Sequence, residues 1–414
     1  HLKANGYKTA LLGKAHFEPW LGSPADFFEN RMAKENSTGP HRGFDHMELA
    51  NHFFEGHSHY DVWMSEKHPS YKERFYPMVT SMGQNTIGKG VTQACQVWPM
   101  DVPTELYHTN WVAERTIEWL KSLVDDDNWF CWMSFPDPHH PWDVPKSEIS
   151  RLNWKDVPLP SLYCETDAER RALLENKPKH WLGYYEGSLW TNLESPREFI
   201  PAEMTPHQVR EINAITHIEN ELIDDACGQV VGWLEERGWM SDTDVFFTTD
   251  HGELQGDFGL LFKGPYHVDA LMRLPFIWRP AGGVESTSVS APVGHLDLAP
   301  TFCEIAGIEP PEYLEGRILP VSNQEAQGRD YVLTEWDSEH GPLDMHLKSI
   351  YRDGWLCTTY EKSTLYEGTE GELYNLQTDP EQRENLWSKE TQIQTELVEA
   401  IYDWLPQARN PRLE

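Results

Sequence analysis

Basic residues are in short supply in this chain: 34 Lys and Arg stand against 67 Asp and Glu in 414 residues, a formal charge of −33 at pH 7. A field of that sign repels polyphosphates and anionic headgroups, which argues against nucleic acid and anionic membranes as partners. Long hydrophobic runs are absent too; no stretch reaches the ~20 apolar residues that span a bilayer. The six cysteines (Cys95, Cys131, Cys164, Cys227, Cys303 and Cys357) form no CxxC pair, so a zinc knuckle or dithiol redox motif is not expected. Cys131 and Cys303 lie in apolar runs and read as core residues. Nothing in the set demands an oxidising compartment, and a bacterial cytoplasm or periplasm fits equally. Repeats and low-complexity tracts are missing. The first residues, HLKANGYKTALLG, hold neither an initiator Met nor a signal peptide. They read as a helix end running into a strand, so the chain is expected to begin inside a domain.

What is there suffices for a large domain plus a smaller one. The pattern predicts strands at 7–12, 129–135, 245–249 and 275–278. It predicts a helix at 109–123, where Trp111, Ala113, Ile117, Trp119 and Leu120 recur at helical spacing. A second, from 205 to 238, has Thr205 as N-cap, Pro206 at the first helical position and Gly238 as stop. His295 opens a loop leading into a further helix. Between 18 and 101, and from 143 to 204, the reading is loop-rich and irregular. Helices alternating with apolar strands predict an α/β fold, a mainly parallel sheet sandwiched by helices. Beyond residue 325, short strands near 331–335, 347–351, 355–360 and 372–376 predict a small antiparallel sheet. The expected division is an α/β domain over 1–324 and an α+β subdomain over 325–414.

Chemistry collects at strand ends. In FTTDHGELQGDFGLLFKG (247–264) an apolar run delivers Asp250 and His251 side by side, followed by a Gly- and Asp-rich loop and the cation Lys263. Two other apolar strands end the same way, in Lys14 and His16 and in His139 and His140. Each cluster alone is weak, since an Asp can cap a turn beside an exposed His. In a doubly wound sheet, however, such ends converge on one crevice. Asp250 and His251 can hold a divalent cation, with further ligands needed from elsewhere. Lys14 and Lys263 offer charge to a tetrahedral oxyanion, and His16 and His139 can move protons. That set suits hydrolysis of a sulfate or phosphate ester. His52, His57 and His59 have metal-ligand chemistry but no helical i,i+4 spacing, and are expected to line a loop or pocket. The aromatic residues of 142–190 could stack on a sugar or simply pack.

GYKTALLGKAHF (6–17), FPDPHHPW (135–142), TTDHGELQGDFGLLFKG (248–264), ALMRLPFIWRPAG (270–282), HLDLAPTFCEIAGI (295–308) and ELYNLQTDPEQRENL (372–386) together resemble, in order, the signature blocks of type I sulfatases. That family belongs to the alkaline phosphatase superfamily. The resemblance implies an alkaline phosphatase-like α/β fold and hydrolysis of a sulfuric ester by a formylglycine nucleophile and a divalent metal. It implies metal ligation by Asp250 and His251, with Ca²⁺ the usual ion and Mn²⁺ or Mg²⁺ as alternatives. Lys14 would bridge nucleophile and sulfate, His16 would assist turnover, His139 would protonate the leaving oxygen and Lys263 would bind sulfate. His140 is given a structural role. The expected partner is a small anionic sulfate or phosphate ester, a sulfated sugar among the candidates; a homo-oligomer stays open.

Two departures qualify the resemblance. His251 stands where many arylsulfatases carry Asn, which makes the chain more similar to choline sulfatases and phosphonate monoester hydrolases. The C/S-x-P/A-x-R block that yields formylglycine, and the first strand with its paired metal-binding Asp residues, are not found in these 414 residues. Both are expected upstream of His1, and the chain alone is expected to be inactive. The rival readings are a phosphonate monoester or phosphodiester hydrolase and a non-catalytic sulfatase-like protein.

Overall fold

Thr9, Ala10, Leu11, Leu12 and Gly13 are all buried, as expected of a strand covered on both faces. They form β1 (Lys8–Gly13) in a computed structural model that describes residues 1–18, 27–52, 57–75, 87–190, 195–340 and 343–404. α1 (Phe28–Lys34), β2 (His46–Leu49), α2 (His59–Lys67), α3 (His108–Lys121) and β3 (Trp129–Ser134) follow. Then come α4 (Asp167–Leu174), α5 (Lys179–Tyr185), α6 (Pro206–Arg237), β4 (Val245–Thr248), α7 (Asp269–Met272), β5 (Phe276–Arg279) and α8 (Leu298–Ile305). The chain closes with β6 (Tyr331–His340), β7 (Leu343–Arg352), β8 (Trp355–Tyr360), β9 (Gly371–Asn375) and α9 (Thr391–Trp404).

Two compact, discontinuous units emerge: 1–158 with 205–245 and 280–283, and 159–204 with 246–279 and 284–414. In the first, a parallel sheet has the order β2-β1-β3, with Gly13 opposite both Leu49 and Ser134. Alternation along β1 sends Ala10 and Leu12 toward α3 and α6, where they meet Ala113, Leu120, Ala226 and Leu234. Leu11 points the other way, onto Met32 of α1. Each such Leu contributes about 1.5–3 kcal/mol through burial. The long helix α6 starts and stops where its sequence signals predicted. Thr205 and Gln208 form a capping box, Pro206 opens the helix and Gly238 closes it at φ +80°.

The second unit holds the β4-β5 pair, where Phe246 stacks on Trp278 with ring centroids 5.0 Å apart. It also holds the four-stranded antiparallel sheet β6-β7-β8-β9. Ile350, Cys357 and Leu373 face α9 through Leu397 and Ile401, while Met345, Leu347, Tyr360 and Tyr366 pack on the opposite face. The α/β class with a parallel sheet and a C-terminal antiparallel sheet is therefore as expected. The irregular reading of 143–204 was too sparse. A Thr166–Glu169 capping box starts α4, and Leu173, Leu174, Trp181, Tyr184 and Tyr185 bury α4 and α5 in one cluster. Between 18 and 101, β2 is four residues long and α2 buries His59 and Asp61 beside Tyr60, Val62 and Met64. Neither presents the clean periodicity that marks an element in sequence. No helix among the described residues is long and apolar enough to cross a membrane.

Candidate functional site

In the first unit, Gly13 ends β1 at φ +109°, and a Cβ there would fall 1.6 Å from the Ser134 carbonyl oxygen. Only glycine lets β1 and β3 finish this close together. The Lys14 N–H then donates to that carbonyl at 2.9 Å, extending the pairing one residue past the strands. Lys14 is half-buried and His16 exposed. His139 follows β3 by five residues, its Nδ1 donating to the His140 carbonyl at 2.5 Å. With that nitrogen committed as a donor, proton exchange falls to Nε2. The ring lies 4.2 Å from that of His140, which is buried, and 5.8 Å from that of His52. Lys14 and His139 thus stand at the carboxyl ends of adjacent parallel strands, the position where open α/β sheets offer side chains to ligands.

In the second unit, the His295 Nε2 donates to the Thr249 carbonyl at 2.9 Å and fixes the chain leaving β4. Asp250 Oδ1 accepts the His251 N–H at 3.0 Å, and His251 Nδ1 donates to the Gly252 carbonyl at 2.8 Å. That bond sets the tautomer and makes Nε2 the acceptor nitrogen, 3.7 Å from Asp250 Oδ2. Gly252 is held by Leu271, its N–H 2.9 Å from that carbonyl, and a Cβ would lie 1.9 Å from the Ala270 oxygen. The loop then doubles back through Leu254 N–H to Phe262 O (3.0 Å) and Gly256 N–H to Leu260 O (2.9 Å). This brings Lys263 Nζ to 3.9 Å from Glu253 Oε2. Gln255, Phe258 and Phe262 take positive φ within this turn. Such conformations cost on the order of 1 kcal/mol or more each and concentrate at ligand-binding loops. Burial of Phe258 and Phe262 holds them in place. Burial, with Glu381 nearby, pushes Asp257 up to about 6.

The structure therefore gathers Lys14 and His139 in one unit, with His16 two residues beyond Lys14, and Asp250, His251 and Lys263 in the other. The donor set at Asp250 and His251 fits a divalent cation: one carboxylate and one imidazole whose second nitrogen is anchored. Of the three histidines expected to line a loop or pocket, His52 and His57 do lie in bends, and only His59 departs from that expectation. His59 opens α2, is buried, accepts the Leu49 N–H at 3.0 Å and donates to the Ser37 carbonyl at 2.9 Å. Its role is to tie β2 to α2. His52 faces a buried cluster with His108, Asp137 and Asp143. No sequence motif announced that cluster, because its members are 56, 29 and 6 residues apart.

The chain belongs to the sulfatase family, whose profile matches residues 1–308. A second profile, the C-terminal region of N-sulphoglucosamine sulphohydrolase, matches 256–408. An uncharacterised sulfatase, YidJ of Escherichia coli strain K12, is 28% identical over 310 residues, covering 72% of this chain and 56% of that protein. The multifunctional alkaline phosphatase superfamily protein PehA of Trinickia caryophylli is 26% identical over 373 residues, covering 85% and 63%. The chain thus spans less than two thirds of the length of these two relatives. The phosphonate monoester hydrolase of Agrobacterium radiobacter has a similar fold, with a TM-score of 0.73 at 21% identity over 98% of this chain and 79% of that one.

Proposed function

We propose that this chain is the larger part of a sulfuric ester hydrolase that acts on small anionic esters, sulfated sugars included. The match to the sulfatase profile over residues 1–308 carries this reading. A C-terminal match to a sulphohydrolase of a sulfated amino sugar supports the sugar. Asp250 and His251 would hold a divalent cation that neutralises charge on the ester oxygens. Ca²⁺ is the family's usual ion, with Mn²⁺ or Mg²⁺ as alternatives. Lys14 and Lys263 supply positive charge to the tetrahedral group, which an envelope of net charge −33 would otherwise repel. His139, through Nε2, donates a proton to the leaving oxygen. His16 moves a proton during turnover. A formylglycine nucleophile, as the family resemblance implies, would attack the ester.

His251 favours a second reading, a phosphonate monoester or phosphodiester hydrolase on the same scaffold. Paired aryl sulfate and aryl phosphodiester substrates, assayed with the full-length protein, separate the two. Faster turnover of the sulfate is expected, and loss of it in Asp250→Ala and Lys14→Ala. Faster phosphodiester turnover overturns the sulfatase reading, and no turnover of either substrate favours a non-catalytic member.

A further inference from the structure

Four buried side chains of the first unit, none given a role in the proposed reaction, bring their donor atoms together. His52 follows β2 by three residues, His108 is the first residue of α3, Asp137 follows β3 by three residues, and Asp143 lies in the same loop. One donor atom from each lies within 4.8 Å of all the others. Three pairs are closer. His108 Nε2 stands 3.5 Å from Asp143 Oδ1 and 3.6 Å from Asp137 Oδ1, and His52 Nδ1 stands 3.6 Å from Asp143 Oδ2.

These separations discriminate between what could fill the cluster. A direct N–H···O bond closes to about 2.7–3.2 Å, so the imidazoles and carboxylates are not simply paired. A water bridging two such atoms would hold them about 4.5 Å apart, judged from two ~2.8 Å bonds at a tetrahedral angle. Ligands at ~2.0–2.1 Å around a tetrahedral ion are separated by about 3.4 Å, close to the three nearest pairs, with the four donor atoms all within 4.8 Å. The surroundings agree. The Tyr107 hydroxyl donates to Asp143 Oδ1 at 2.8 Å and the Thr109 hydroxyl to Asp137 Oδ2 at 2.7 Å. Each carboxylate is thereby oriented from behind, as metal ligands are. In front, His52 Nδ1 and Nε2, His108 Nε2, Asp137 Oδ1 and Asp143 Oδ2 have no hydrogen-bond partner. Buried polar atoms left so lose their hydration without return, and charged ones lose more. Four donor atoms, one from each residue, lie within 4.8 Å of one another and need a common partner.

We propose that His52, His108, Asp137 and Asp143 form a closed tetrahedral site for a borderline divalent transition metal, Zn²⁺ foremost. Two imidazoles and two carboxylates suit such an ion and not Ca²⁺, which takes six or more oxygens. Two carboxylates also balance its charge, leaving a neutral buried centre. All four positions are taken by protein, so the site is structural and not catalytic. It clamps the ends of β2 and β3 to the start of α3 and fixes both ends of the 137–143 loop that carries His139. It is separate from the Asp250–His251 pair in ligands and in chemistry.

Elemental analysis of the purified protein after exhaustive dialysis tests this. One equivalent of zinc is expected in wild type and in an Asp250→Ala/His251→Ala variant, and none when Asp143→Asn is added to that variant. Absence of any transition metal from wild type overturns the proposal, as does its loss in the Asp250→Ala/His251→Ala variant. Should Asp143→Asn fail to fold, wild type refolded with Co²⁺ serves instead. The d–d absorption of tetrahedral cobalt is expected, and folding without that absorption overturns the proposal.

Discussion

Lys177 and His108 are both buried, one in each compact unit, and their surroundings differ in kind. The Lys177 ammonium donates to the Tyr374 hydroxyl at 2.8 Å and the Gln382 carbonyl at 2.9 Å. It also lies 4.5–4.7 Å from the centroids of the Phe258, Tyr374 and Trp181 rings. Nearby, His180 Nε2 donates to the Pro265 carbonyl at 3.0 Å while Nδ1 accepts from the Tyr366 hydroxyl at 2.6 Å. Both carboxylate oxygens of Glu372 accept from tyrosines, Tyr374 and Tyr360. Around His108 the corresponding atoms stop 3.5–3.6 Å short of one another. The ionisable groups of the Lys177 network are all hydrogen-bonded, although Trp181 Nε1 and the Gln382 side-chain nitrogen are not, so it is close to a finished piece of core. A network that halts at ligand spacing is completed by something the polypeptide does not contain.

The largest effect that could break this contrast is metal removal. In the Asp250→Ala/His251→Ala background, a chelator should lower the free energy of unfolding by about 4 kcal/mol or more. That is the linkage expected when free metal exceeds its Kd by roughly 1,000-fold. Urea titrations with and without chelator measure it. The same chelator should have no effect once Asp143→Asn is added to that background. Equal insensitivity of both proteins would reduce the His108 cluster to imperfect packing and erase the distinction.

Acid offers a second, smaller lever, this time on the finished network. Burial holds His180 down to about 3 and His267 to about 4, both as neutral rings. Their folded-state values lie below the unfolded value near 6.5. Between those limits the unfolded chain binds the extra protons, so stability is full above about pH 6.5 and falls as pH falls. Each histidine contributes a slope of about 1.4 kcal/mol per pH unit. His180→Gln should remove one such slope between pH 6.5 and 4.5 in urea titrations, even though it lowers stability at neutral pH. An unchanged slope would mean that His180 is not held neutral.

The contrast also explains what could be read from the residues in order. Thr205, Pro206 and Gly238 marked α6 because caps act within a turn of their own position. The strand-end pattern marked Lys14, His139 and Asp250–His251 because each group is contiguous in the chain. The His52–His108–Asp137–Asp143 cluster was invisible for the opposite reason. His108 falls one residue before the helix predicted at 109–123, His52 reads as a loop residue, and Asp137 and Asp143 flank the His139–His140 pair. Only the parallel register of β1 with β2 and β3 makes them neighbours. The turn through Phe258 and Phe262 was likewise hidden, since neither residue type advertises positive φ.

Lys177→Met gives the smallest expected effect and the sharpest test of whether the second network is self-sufficient. Burial is the main influence on Lys177 and drives it down to about 8, with Glu372 and Asp379 opposing. Holding the ammonium there is therefore costly, and methionine of similar length removes that cost. Against this stand the cation–π contacts, worth about 2 kcal/mol when desolvated. Two acceptors, Tyr374 Oη and Gln382 O, also lose a donor, but under-satisfied oxygens are tolerated better than orphaned N–H groups. The terms nearly cancel, leaving a destabilisation of about 1 kcal/mol that chelator should not alter, as replacing a buried charge by an apolar group is often close to neutral. A loss above about 3 kcal/mol would show that the ammonium organises the network and does not merely occupy it. The second cluster would then depend on its cation as the first is proposed to depend on a metal.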